Sequence, residues 1–104
     1  MLVEVKPAEF EEATKEGLVL VDFYKDGCSN CKMTAIALKG IEAAMGDSLK
    51  IVKILCGPAD ADFIADHKIE GFPTLAVMVN GTEMTRKAGL QQKAGLIKMI
   101  EAYK

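Results

Sequence analysis

Two cysteines three residues apart, in Cys28-Ser29-Asn30-Cys31, are the side chains of this sequence best placed to do chemistry. They lie where a nearly continuous apolar run, Leu18 to Tyr24, gives way to a long segment of helical periodicity. A thiol at the start of a helix faces unpaired backbone N–H groups and the positive end of the helix dipole, and both favour its thiolate. Cys28 takes that position, with Lys25 and Lys32 adding positive charge nearby and Asp26 subtracting some. Cys31, one helical turn on, lies on the same side and can reach the first sulfur. A nucleophilic thiol with a resolving thiol beside it is what disulfide exchange requires: attack, a mixed disulfide, then intramolecular release.

The same residues admit other readings. Cys28, Cys31, Cys56 and His67 could supply four ligands to zinc, although their spacing lacks a second closely paired knuckle. The pair could also be fortuitous. Cys56, which precedes the turn Gly57-Pro58, is expected as a small buried hydrophobe, with a regulatory oxidation site as the alternative. His67 falls near a helix end, where a solvated or dipole-favoured imidazole is expected.

The elements that must position the pair can be read from periodicity and punctuation. Leu2 to Val5 alternates as an edge strand, and Pro7 opens a helix that Gly17 ends. Leu18 to Tyr24 reads as a strand buried on both faces. The helix after Cys31 runs to about Met45, with Met33, Ile36, Ala37, Ile41, Ala44 and Met45 as its apolar face and Gly46 as its stop. A second buried strand, Leu49 to Leu55, precedes a short helix over Asp60 to Lys68. Thr74 to Val79 and Thr82 to Ala88 form a hairpin about Asn80-Gly81, and Leu90 to Tyr103 closes the chain as an amphipathic helix. The six methionines are expected as core fillers. This order predicts an α/β fold with a central mixed sheet of about five strands flanked by about four helices.

Composition narrows the class. A chain of 104 residues, 50% hydrophobic and 27% charged, is expected to form one domain over 1–104 without a structural staple. Thirteen Lys and Arg against fifteen Asp and Glu are spread along the chain, so no basic stripe invites nucleic acid. No apolar run approaches membrane-spanning length, and Glu4, Lys6 and Glu9 interrupt any leader-like stretch. A cytoplasmic monomer is the expectation.

Four features in order carry a family resemblance. Val21-Asp22-Phe23-Tyr24 through Cys28-Ser29-Asn30-Cys31-Lys32-Met33, then Gly71-Phe72-Pro73-Thr74-Leu75, then Asn80-Gly81, then Gly89, resemble the thioredoxin family over essentially the whole chain. The resemblance implies a thioredoxin fold and a thiol–disulfide oxidoreductase that reduces protein disulfides through a reversible Cys28–Cys31 dithiol. Cys28 would be the nucleophile and Cys31 the resolving thiol. Asp22 would match the family's buried carboxylate, which exchanges a proton with the second cysteine through water; an acid inside an apolar strand should also titrate high for physical reasons. Lys53 would neighbour that carboxylate, and Lys32 follows the pair. Pro73 matches the family's cis-proline, leaving the Phe72 backbone to pair with a substrate strand beside Gly27, Ser29 and Asn30. No dissociable cofactor is implied, since the dithiol is itself the carrier. The implied partners are disulfide-containing proteins and an electron donor resembling thioredoxin reductase. A non-catalytic thioredoxin-like binding or scaffold protein is the alternative, with a metal-binding module behind it.

This sequence departs from the family pattern at four positions. Ser29-Asn30 replaces Gly-Pro, Gly27 replaces the aromatic before the first cysteine, Tyr24 replaces a tryptophan, and Ile36 replaces a helix-bending proline. The dipeptide between the cysteines tunes the potential over a range of about 150 mV. These departures fit a specialised oxidoreductase at least as well as a general-purpose reductant.

Overall fold

The most apolar segment of the chain takes the middle of the sheet. Leu18–Tyr24 (β2) pairs in parallel with Lys50–Leu55 (β3) and antiparallel with Thr74–Val79 (β4). Leu2–Val5 (β1) lies parallel to β3 at one edge, and Thr82–Ala88 (β5) lies antiparallel to β4 at the other. The strand order is β1-β3-β2-β4-β5, in a computed structural model that describes residues 1–104. The polar edge strand β5 is joined to β4 by Asn80 and Gly81, both at positive φ as a tight hairpin requires.

Strand alternation gives the sheet two apolar faces, and helices cover both. Phe10–Thr14 (α1) and Ala61–Asp66 (α3) close one face over Val19, Val21, Phe23, Val52 and Ile54. Ser29–Met45 (α2) and Lys93–Glu101 (α4) close the other over Leu20, Ile51, Leu75 and Val77. By the same alternation Asp22 points with Leu20 toward α2 rather than toward solvent. No helix is long and apolar enough to cross a membrane.

The inner face of α2 differs from the one that apolar spacing suggests. Cys31, Thr34, Leu38 and Ile41 are buried, whereas Met33 and Ile36 are 56% and 73% exposed. Ile36 and Ile41 are five positions apart, about 140° around a helix, so one narrow stripe cannot hold both. The helix turns the direction that carries Cys31 toward the sheet. Methionine follows suit: Met78 and Met99 fill the core, but Met1, Met33 and Met84 are exposed. Leu38→Ala should therefore cost about 2–5 kcal/mol in urea unfolding, and Ile36→Ala under about 0.5. Equal losses would contradict this orientation of α2.

Smaller differences lie at element ends. The first and third helices are each preceded by a 3-10 turn, Pro7–Glu9 and Pro58–Asp60, with proline where its missing N–H is not needed. The last helix starts at Lys93, not Leu90, and Leu90 remains exposed. His67 is not simply solvated: its ring lies 4.4 Å from that of Phe63 and 4.7 Å from that of Phe10.

Candidate functional site

The chain leaves β2 at Tyr24, turns at Gly27 with φ at +71°, and enters α2 through Cys28. That left-handed turn explains why an aromatic is absent before the first cysteine, because any side chain at Gly27 would be strained on this backbone. Cys28 is the N-cap of α2, in extended geometry, and its sulfur accepts the Cys31 backbone N–H at 3.2 Å. The donor is one of the unpaired groups that open every helix, so the strand-to-helix junction itself solvates the sulfur. Cys28 and Cys31 form a disulfide, with their Cα atoms 5.2 Å apart. Cys31 is buried and Cys28 half-buried, while Ser29, Asn30 and Lys32 on the first helical turn are exposed.

A second segment closes on the pair from the start of β4. The Phe72–Pro73 peptide bond is cis, Pro73 is buried, and the Phe72 carbonyl oxygen lies 3.8 Å from the Cys28 sulfur. This loop is held by the Thr74 hydroxyl, which donates to the Gly71 carbonyl at 2.6 Å, and by the Gly89 N–H, which donates to the Pro73 carbonyl at 2.8 Å. Glycine at position 89 is thus explained by a turn with φ at +86° beside the site. The Lys25 ammonium sits 5.5 Å from the centre of the Phe72 ring.

On β2, on the face toward α2, lies Asp22, 0% exposed, and neither of its carboxylate oxygens has a hydrogen-bond partner. It occupies a central strand, not an edge. Burial pushes its carboxyl up to about 7; the Lys53 charge pulls it down and the Glu4 charge pushes it up. Lys53 is its register partner on β3, and the ammonium rests 4.5 Å from the centre of the Tyr24 ring. Cys31, Lys53, Tyr24, Lys32 and Ala35 line a cavity of about 120 Å³, roomy enough for a few water molecules.

Cys56 takes no part in this arrangement. Its thiol is buried and pushed up to about 11, chiefly by burial and then by the charges of Asp60 and Asp22, so it is a poor nucleophile at neutral pH. No group of three or more His, Cys, Asp or Glu side chains comes together to hold a metal. Cys28 and Cys31 are bonded to each other, and His67 stacks among phenylalanines. Two polar residues of the site carry no motif. Thr34, fully buried on the Cys31 side of α2, has an unpartnered hydroxyl. Glu4 accepts the Tyr24 hydroxyl at 2.6 Å. The first could be suspected from its i+3 spacing to Cys31, whereas the second depends on strand pairing that local sequence does not reveal.

Comparison with known proteins bears on the whole chain. A family model described as Thioredoxin matches residues 1–102. The thioredoxin of Bacillus subtilis (strain 168) is 31% identical over 102 residues, covering 98% of this chain and 97% of its own. That of Chlamydia caviae is 35% identical over 104 residues, covering 98% and 99%. The crystal structure of Chlamydomonas reinhardtii thioredoxin f2 superposes with a TM-score of 0.89 over 100% of this chain and 97% of that one; at 23% identity the likeness is one of fold.

Proposed function

The chain belongs to the thioredoxin family and is a thiol–disulfide oxidoreductase, and on that premise we propose that it works as a reductant of protein disulfides. The observation that carries this reading is Cys28 at the N-cap of α2, its sulfur receiving a backbone N–H and its partner sulfur one turn away. In the reduced protein the Cys28 thiolate attacks one sulfur of the substrate disulfide. A Cys28–substrate bond forms, the substrate S–S bond breaks, and its electron pair leaves on the first substrate thiolate. Asp22, the buried carboxylate of β2, then takes the Cys31 proton through water. The Cys31 thiolate attacks the Cys28 sulfur, the Cys28–substrate bond breaks with its electron pair leaving on the second substrate thiolate, and the Cys28–Cys31 disulfide closes.

The substrate approaches as an extended segment whose backbone pairs with that of Phe72. Pro73 shapes this edge, and Gly27, Ser29 and Asn30 form the facing rim, with Lys32 and Lys53 as supporting charges. Without a flanking aromatic, recognition rests on backbone and on small polar groups, which fits a narrower set of substrates than a general reductant takes. A dithiol donor of the reductase class returns the pair to the reduced state. The working assignment is one domain, monomeric, in a reducing compartment such as the cytoplasm, with no cofactor beyond the disulfide itself.

Equilibration with dithiothreitol or glutathione buffers tests the direction. A Cys28–Cys31 potential near about −270 mV, typical of thioredoxins, is expected; one between about −180 and −120 mV would assign an oxidant or isomerase instead. A scaffold protein would show no disulfide turnover at any potential, and stoichiometric zinc in the purified reduced protein would point to metal binding.

A further inference from the structure

Asp22 sits beside a lysine and yet neither of its oxygens receives the ammonium. Strand pairing sets the scene. Glu4 on β1 and Asp22 on β2 are both register partners of Lys53 on β3, so the three lie in one row across the sheet, on the face toward α2. A cation between two carboxylates could pair with either. Instead it rests on the face of the Tyr24 ring, 4.5 Å from the centre. Tyr24 is two residues beyond Asp22 on the same face, and its hydroxyl donates to Glu4 at 2.6 Å, which fixes the ring across Lys53.

We propose that Tyr24, anchored by Glu4, is a positioning residue that holds the Lys53 ammonium off Asp22 and so keeps the proton acceptor of Cys31 unpaired. An ion pair with Lys53 would stabilise the charged carboxylate and weaken it as a base for a thiol. The clamp prevents this at the cost of one exposed hydrogen bond. The Glu4 charge acts in the same direction, since it disfavours a second anion in the row. The other groups facing Asp22 do not compete for the role. The buried residues at the start of α2 are Cys31 and the uncharged Thr34, the β4 register partner of Asp22 is Leu75, and Asp26 lies in the loop beyond Tyr24.

This inference rests on the reading of Asp22 as proton acceptor, so the test separates the two. The titration of the Asp22 carboxyl, followed by ¹³C NMR in the oxidised protein, reports on the clamp alone. Tyr24→Phe keeps the ring but removes its anchor, and is expected to lower the Asp22 midpoint by roughly half a unit as Lys53 turns toward the carboxylate. Glu4→Gln should lower it at least as far, and less in about 1 M salt, because Glu4 is exposed. In a Lys53→Met background Tyr24→Phe should have no effect, the readout that a merely structural tyrosine would not give. An unmoved or raised midpoint in Tyr24→Phe overturns the clamp, since the Glu4 charge alone predicts no such fall. The pH profile of mixed-disulfide resolution should shift with the titration. A titration that moves while this profile stays fixed sustains the clamp and overturns the acceptor role of Asp22.

Discussion

Cys28→Ser will lose at least about a thousandfold in disulfide turnover, down to the uncatalysed background. The reaction needs an anionic sulfur, and Cys28 alone occupies the helix N-cap where the Cys31 N–H points at the side chain from 3.2 Å. A serine hydroxyl accepts the same hydrogen bond and caps α2 equally well, so the variant keeps its fold while losing its nucleophile. Cys31 cannot take over, being 5% exposed beneath the first turn, and neither can the buried Cys56. Cys31→Ser should fail differently. Its Cys28 still attacks, but no internal thiol releases the product, and a mixed disulfide accumulates as a reducible band on a non-reducing gel. Multiple-turnover reduction by the Cys28→Ser protein would overturn the assignment of nucleophile.

Much of this site is legible along the chain because it is built from local signals. A β-branched, apolar run marks β2, a cysteine pair follows it, and Asn80-Gly81 announces the hairpin that brings Gly89 behind Pro73. Each of these is a statement about neighbours in sequence. What the sequence hides is rotation and register. The inner face of α2 is chosen by the tie at Cys31, between two apolar directions that differ by a rotation about the helix axis. The row Glu4, Lys53, Asp22 joins three strands, and only their parallel pairing makes neighbours of residues 4 and 53. Tyr24 shows both sides of the matter: legible as a departure from the family tryptophan, it gains its purpose only from Glu4 across the sheet.

Asp22→Asn should make the protein more stable and a worse catalyst, a combination that no purely structural aspartate gives. The carboxyl titrates at about 7 in the fold against an ordinary 3.8, so between those values the folded chain holds a proton that the unfolded chain has released. Stability therefore falls as pH rises from about 4 to about 7, and the full cost of the buried charge, about 4 kcal/mol as an upper bound, is present above 7. Asparagine removes the charge at constant shape. Denaturant unfolding at pH 8 should show a gain of about 2–4 kcal/mol that vanishes near pH 4. Over the same range resolution of the mixed disulfide in the wild type should speed up as Asp22 ionises, because only the carboxylate accepts a proton. Asp22→Asn should slow that step about a hundredfold and remove its inflection near pH 7. A loss of stability at pH 8, or an unchanged resolution rate, would show that Asp22 is not held in this site to move a proton. A buried carboxylate without a hydrogen-bond partner is a standing destabilisation, and under the proposed mechanism its return is a base matched to a thiol at neutral pH.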